Sequence, residues 1–308
     1  MHRIAVVGAG QFGQNHCRVV RQSTRAELTA VVDIDPTRGT IADYRELAGK
    51  VDAAIVATPT GAHAEIGCWL LDRDIDVLVE KPIAPDLESA DRLIAAAERH
   101  GRILQVGHLE RFNPAVVALE SRVTLPLFFE IHRLSVFSPR SLDVDVILDL
   151  MIHDIDIVLS LTGAEPEEIR GAGVRILSSK VDIANVRLQF PNGCVANLTA
   201  SRVSTERVRK LRLFQPQQYC SLDYARPELI VFSVGAGHQV AFEPVPVAKS
   251  EPLQLQFDAF LDSVETRNSP KTSGIAARQT LRIALAILDK IKEHSDIVSK
   301  SLASGWKL

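Results

Sequence analysis

Ile4-Ala5-Val6-Val7-Gly8-Ala9-Gly10-Gln11-Phe12-Gly13-Gln14 decides the fold of this chain. Its four apolar residues suit a short strand buried on both faces of a parallel sheet. The glycines follow at once, spaced G-x-G-x-x-G, and Gln14 to Arg21 reads as a helix. After a strand and before a helix, that spacing is a phosphate-binding turn. Gly8 permits the tight turn, Gly10 lets a pyrophosphate approach the backbone, and Gly13 lets helix and strand pack closely. The pyrophosphate is expected on Gly10, Gln11 and Phe12, facing the N–H groups and positive dipole end of the helix. The next apolar run, Leu28 to Val32, ends on Asp33, 20 residues after Gly13. A carboxylate there can accept from the adenosine ribose hydroxyls. Together the two features favour dinucleotide binding over a structural glycine turn. Asp33 would repel a 2′-phosphate, so NAD is expected ahead of NADP, and Arg38 is close enough in sequence to soften that preference.

Outward from this turn the pattern is βα until about residue 120. Val51 to Ala57, Asp76 to Val79 and Ile103 to Gly107 read as strands; Ala62 to Asp72 and Leu87 to His100 read as helices. Gly101 closes the last of these as a helix C-cap glycine should. Alternation of this kind indicates a doubly wound parallel sheet. One connection is odd. Only Pro36 to Gly39 separate the second strand from Thr40-Ile41-Ala42, whereas a parallel crossover needs a dozen or more residues. Either the third strand is a vestige or the connection is irregular, with a short helix over Tyr44 to Ala48.

The second half changes character. Leu127 to Val136 alternates as a strand and Val146 to Leu161 reads as a helix. Strands then follow over Ile169 to Ile176, Ile183 to Phe190, Val195 to Val203, Val208 to Phe214, Tyr219 to Asp223 and Leu229 to Phe232. Pro191-Asn192-Gly193 suits a hairpin connection. Two helices finish the chain, about Leu253 to Thr266 and Ile275 to His294. The expected fold is therefore α/β: a Rossmann domain over 1–118 and an α+β domain with a largely antiparallel open sheet over 119–308. The last helices can pack back on the first domain.

Bulk properties exclude several classes. The 308 residues suffice for two domains, and 46% hydrophobic with 24% charged residues is ordinary for a globular protein. A formal net charge of -3 gives no argument for nucleic acid or a membrane surface. No apolar run is long enough to span a bilayer. Met1-His2-Arg3 leads straight into the first strand with no signal peptide, so a cytoplasmic location is expected. The four cysteines, Cys17, Cys68, Cys194 and Cys220, form no C-x-x-C pair and read as reduced small residues.

Ligands of open parallel sheets bind at the carboxyl ends of strands. Thr58-Pro59-Thr60 and Glu80-Lys81-Pro82 stand at two such ends. Lys81 is either a donor to a substrate hydroxyl or a surface lysine paired with Glu80. Asp149 and His153 are four apart on one otherwise apolar helix, so they share a face. Asp149 could orient His153 as a base near neutral pH; the alternative is an ordinary surface pair. A metal held by Asp149, His153 and His108 lacks a third ligand at fixed spacing, and no metal is expected.

At this point the chain resembles the Gfo/Idh/MocA oxidoreductases, NAD(P)-dependent sugar and polyol dehydrogenases. The residues that carry the resemblance are Gly8 to Gly13, Ala57-Thr58-Pro59-Thr60 with His63, Glu80-Lys81-Pro82, and Asp149 to Asp156. It implies Lys81, Asp149 and His153 at the catalytic positions, with His153 as acid/base. It also implies Thr58, Pro59, His63, Glu80 and Lys81 on the cofactor side, and a homodimer or homotetramer through the second domain's sheet. A narrower likeness, in Val106 to Pro114, Asp143 to Leu161 and Ala196 to Arg202, is to the UDP-N-acetylglucosamine 3-dehydrogenases of bacterial lipid A pathways. Those oxidise the sugar 3-hydroxyl. Lys81, Asp149 and His153, with Arg111, Asn113 and Arg202, are then candidates to hold a sugar or nucleotide-sugar, Arg suiting phosphate contact. The short Pro36 to Ala42 connection departs from the family pattern. Rival readings are a free-sugar, inositol or polyol dehydrogenase, a non-catalytic NAD-binding regulator, and a reductase of a cyclic substrate.

Overall fold

The computed structural model describes residues 1–137, 144–235, 237 and 239–303. The chain divides into two compact units, one of Met1–Phe112 with Ser250–Leu281, the other of Asn113–Lys249 with the residues from Arg282 on.

In the first unit β1 (His2–Val7), α1 (Gln11–Gln22), β2 (Ala26–Val32), β3 (Ala53–Val56), α2 (His63–Leu71), β4 (Asp76–Glu80), α3 (Leu87–His100) and β5 (Leu104–Gly107) follow in order. The strands form a parallel sheet ordered β2-β1-β3-β4-β5. Every residue of β3 and β4 is buried, and β3 and the Val77-Leu78-Val79 centre of β4 read as apolar runs. The core beside α1 joins Ile4, Val6, Val19, Val20 and Ile55. The connection after β2 is the vestige of a third strand. Ile41 makes a single parallel bridge to Val32, and the Thr40 hydroxyl and amide both bond the Val31 carbonyl. Tyr44–Leu47 is one 3-10 turn in place of a crossover helix.

In the second unit α4 (Pro114–Glu120) precedes β6 (Phe128–Val136). A π-helical turn over Ile147–Met151 then runs into α5 (Ile152–Thr162). Seven strands follow: β7 (Glu168–Val174), β8 (Ile183–Gln189), β9 (Val195–Ser204), β10 (Val208–Gln215), β11 (Gln218–Asp223), β12 (Glu228–Val234) and β13 (Val240–Val245). They form an eight-stranded sheet ordered β13-β12-β11-β10-β6-β9-β8-β7. Only the central pair β6–β9 is parallel, so the sheet is largely antiparallel. Gly193 supplies the positive φ of the β8–β9 hairpin, +81°. One face of the sheet is buried under Val146, Ile147, Met151 and Ile155. The other carries a row of rings in register across five strands, Phe128, Phe214, Tyr219, Phe232 and Phe242, with centroids 4.7–5.8 Å apart.

The last helices are α6 (Pro252–Thr266) and α7 (Gly274–Ala303). In the first unit α6 sets Phe257 and Phe260 into the core beside Ile4. β13 and α4 are elements that the sequence pattern does not announce. Asp143, where one family-like stretch begins, lies outside the described residues.

Candidate active site

The glycine turn is built by steric exclusion. Gly8 has φ +92°, and a Cβ there would stand 2.7 Å from the Ala57 carbonyl oxygen. At Gly13 a Cβ would fall 1.8 Å from the Gly8 carbonyl oxygen, so helix and turn touch backbone to backbone. Gly10 is the opposite case: among the described residues nothing lies within 4 Å of a Cβ at that position. Gly10 is also the N-cap of α1, and no described side chain caps that helix end. Open space meets uncapped N–H groups, the arrangement that takes a phosphate. A cavity of about 670 Å³ runs from Gly10, Gln11 and Phe12 past Thr58 and Pro59 to Asp33, Arg38 and Tyr44. Asp33 is among the residues that line it. Its Oδ2 accepts from the Ala9 N–H at 2.7 Å and its Oδ1 from the Asp35 N–H at 2.9 Å, and this holds the carboxylate against the turn. The Arg38 Nε lies 3.1 Å from Asp35. These residues fit an NAD molecule: a pyrophosphate on the open glycine and a ribose on the tethered carboxylate.

The ends of β3 and β4 are tied together by His63. Its Nε2 lies 2.9 Å from the Thr58 carbonyl and its Nδ1 2.9 Å from the Pro82 carbonyl. Burial pulls the imidazole below its ordinary range, against the raising effect of the two carbonyls. The ring is 1% exposed, so its contacts are to these two loops. The Lys81–Pro82 bond is cis. Beside it, the Glu80 carboxylate accepts from the Lys81 N–H at 3.3 Å and lies 2.9 Å from the Nε2 of His16 on α1. A Cβ at Gly107 would strike that same carboxylate at 2.7 Å. Glu80 thus joins α1, β4 and β5 under Lys81. Sequence reasoning missed His16; its only sequence signal is a histidine three residues after Gly13, on the face of α1 that buries Val19 and Val20. Arg111 stands on the 3-10 turn Leu109–Phe112 that follows β5.

In the second unit Asp149 lies inside the π turn and His153 in the first turn of α5. The Ile152 N–H bonds the Ile147 carbonyl, five residues back. Two of the other candidates make structural bonds. Asn113 is 4% exposed and its Oδ1 accepts from the Ala115 N–H, capping α4. Arg202 is 5% exposed, its guanidinium donating to the Val144 carbonyl and its Nε 3.8 Å from Asp182. A feature absent from the sequence reading is the buried ion pair of Arg133 on β6 with Asp154, the residue after His153.

Cys17, Cys68, Cys194 and Cys220 are free thiols. Among the described residues no three His, Cys, Asp or Glu side chains are grouped to hold a metal ion, and no helix is long and apolar enough to cross a membrane.

Comparison with known proteins matches these features. Residues 2–108 match the model of an oxidoreductase family with an NAD-binding Rossmann fold, and residues 116–215 match the Gfo/Idh/MocA C-terminal domain. The chain is similar to a UDP-N-acetylglucosamine 3-dehydrogenase of Acidithiobacillus ferrooxidans, 35% identical over 92% of this chain and 96% of that protein. A solved structure of that dehydrogenase superposes with a TM-score of 0.90 at 34% identity, covering 95% of this chain and 98% of the other. An inositol 2-dehydrogenase of an Arthrobacter species is 34% identical over 56% of this chain and 57% of its own length. The chain belongs to the Gfo/Idh/MocA oxidoreductases and is an NAD(P)-dependent oxidoreductase with NAD as its cofactor.

Proposed function

We propose that the protein oxidises the 3-hydroxyl of a UDP-N-acetylhexosamine, with NAD as acceptor. The observation that carries this is the extent of the match. The likeness to the UDP-N-acetylglucosamine 3-dehydrogenase runs end to end, 92% of this chain and 96% of that one, whereas the inositol 2-dehydrogenase matches over little more than half of each. Bound NAD supplies the hydride acceptor. The chain's residues do the rest. Asp33 accepts from the ribose hydroxyls, and its charge disfavours a 2′-phosphate. Lys81 donates a hydrogen bond to the reacting hydroxyl and stabilises developing alkoxide character. His153 takes the hydroxyl proton, with Asp149 fixing the ring. Arg111 suits the substrate's phosphates as a planar two-pronged donor. In this reading the first unit holds the cofactor and the second carries the acid–base group.

The row of rings on the second unit's sheet is part of the same proposal. It is an exposed apolar strip, Phe214 38% and Phe242 58% exposed, of a kind that marks an interaction surface. The adjoining cross-strand row sets Glu130 beside Arg212 and Arg187 beside Asn197. A homo-oligomer through this face is the expected assembly. Light scattering of the native chain against Tyr219→Glu tests it: a smaller mass for the variant is expected, and an unchanged mass refutes it.

The substrate is tested by NADH absorbance with UDP-N-acetylglucosamine, free N-acetylglucosamine and myo-inositol side by side. Turnover confined to the nucleotide-sugar is expected. Turnover with inositol alone makes the protein a polyol dehydrogenase, and NADH binding without turnover on any sugar makes it a sensor.

A further inference from the structure

The π turn Ile147–Met151 is clamped on both sides by groups the reaction does not use. Downstream, Arg133 Nε donates to Asp154 Oδ2 at 2.8 Å and its Nη2 to Oδ1 at 2.7 Å, and both side chains are 2% exposed. Arg133 reaches the pair from the buried face of β6, beyond Phe129 and Ile131, and its guanidinium lies 5.0 Å from the Tyr224 ring. Upstream, the Val146 N–H bonds the Val181 carbonyl at 3.0 Å, and Asp145 Oδ1 accepts from the Val181 N–H at 2.8 Å. Arg202 donates to the Val144 carbonyl.

A buried ion pair is a poor way to add stability, because apolar residues of the same volume commonly do as well or better. A π turn is also an uncommon conformation, one residue longer than an α turn and recurrent at functional sites. Were it to relax into α-helix, the residues on one side would rotate about 100° against those on the other. His153 lies just beyond the turn, in the first turn of α5, so that rotation would re-aim it relative to the residues before the turn.

We infer that Arg133 and Asp154 are positioning residues that hold the π turn, and through it set the direction of His153 relative to the residues before the turn. This rests on the reading of His153 as the acid–base group. The pair fixes the first turn of α5, while Val181 and Arg202 fix the residues before the π turn. With both ends held, the extra residue has nowhere to go.

The test is the exchange Arg133→Met/Asp154→Leu, which removes both charges together. The readouts are hydrogen exchange at the Ile152 amide, which bonds the Ile147 carbonyl, the Kd for NADH, and kcat with NAD and UDP-N-acetylglucosamine. Exchange at Ile152 is expected to quicken at least tenfold, with the sheet amide of Leu198 unchanged. kcat is expected to fall at least tenfold at unchanged NADH affinity. A folded variant with parental exchange at Ile152 overturns the inference. Arg133→Lys, which keeps the charge and loses the fork, is measured beside it, so a double variant that fails to fold leaves the same readouts in place. His153→Ala separates the two readings: if it keeps parental kcat the acid–base role fails, while exchange at Ile152 still decides the clamp.

Discussion

The glycine turn of the first unit and the π turn of the second, which in the proposed reading both place backbone for chemistry, are built in opposite ways. At Gly8 and Gly13 the fold excludes every side chain, so the residue type announces the geometry. The π turn has no such residue. Ile147 to Met151 reads as ordinary helix, and what distinguishes it is held from outside by Arg133, Val181 and Arg202. A turn defined by what cannot fit is written locally. A turn defined by what grips it is written in residue pairs 21 to 58 positions apart.

The sharpest way to break this contrast is at the glycines. Gly13→Ala puts a methyl group 1.8 Å from a backbone oxygen, which no side-chain rotation relieves. A loss of about 3 kcal/mol or more and no measurable NADH binding are expected, read by urea unfolding and NADH fluorescence. Gly10→Ala meets open space, so stability should stay within about 0.5 kcal/mol while NADH binding weakens at least tenfold. Equal effects at the two positions would mean that Gly10 faces no phosphate.

On the other side of the comparison, His153→Ala should lower kcat by about 10²–10⁴-fold, the usual contribution of a general base. NADH affinity should be unchanged, because the glycine turn is untouched. Lys81→Ala should lower kcat comparably. Parental turnover in both variants would remove the proposed acid–base chemistry altogether.

What was legible in the sequence follows the same division. The parallel sheet showed because its buried strands are built around apolar runs, and the nucleotide-binding fold because the glycine spacing is a local signal. The odd connection after Asp33 was visible as too short for a crossover, and the Ile41 bridge is the remnant that its length allows. His16 was not legible: its partner Glu80 is 64 residues away. Arg202 and Asn113 read as candidates to hold a ligand, because polar residues near strand and loop ends can do that or make structural bonds. Asn113 before Pro114 is a local helix-start signal that the pattern reading did not use, whereas the Arg202 bond to Val144 spans 58 residues, which no spacing reveals. The π turn was invisible for the same reason.

Asp33→Asn sharpens the comparison more gently. The amide oxygen can still accept from the Ala9 N–H, so the glycine turn should hold its shape, while the Asp35 N–H loses its acceptor. What is lost is charge on the hydrogen bonds to the ribose, about 1.5 kcal/mol or roughly tenfold in the NADH dissociation constant. The preference for NADH over NADPH should narrow by a larger factor, because the repulsion of a 2′-phosphate goes as well. Titration of both nucleotides by fluorescence measures the ratio, and an unchanged ratio would take specificity away from Asp33.

The smallest effect belongs to the grip on the π turn. Asp182 is buried, which alone would raise its pKa, but three backbone N–H groups at Ile176, Leu177 and Ser178 and the Ser178 hydroxyl outweigh burial and hold it at about 2. A carboxyl depressed in the folded state contributes stability above its unfolded pKa, near 3.8, and loses it as the pH falls through 2. The contribution at neutral pH is about 1–2 kcal/mol once solvent screening is allowed for. Asp182→Asn should therefore be less stable than the parent at pH 6, and the gap should close between about pH 4 and pH 2 in urea unfolding. Because Val181 and Arg202 both reach the π turn from beside Asp182, the variant should also quicken exchange at Ile152, by less than loss of the Arg133–Asp154 pair does. A pH-independent gap would mean that Asp182 holds its loop by shape and not by charge.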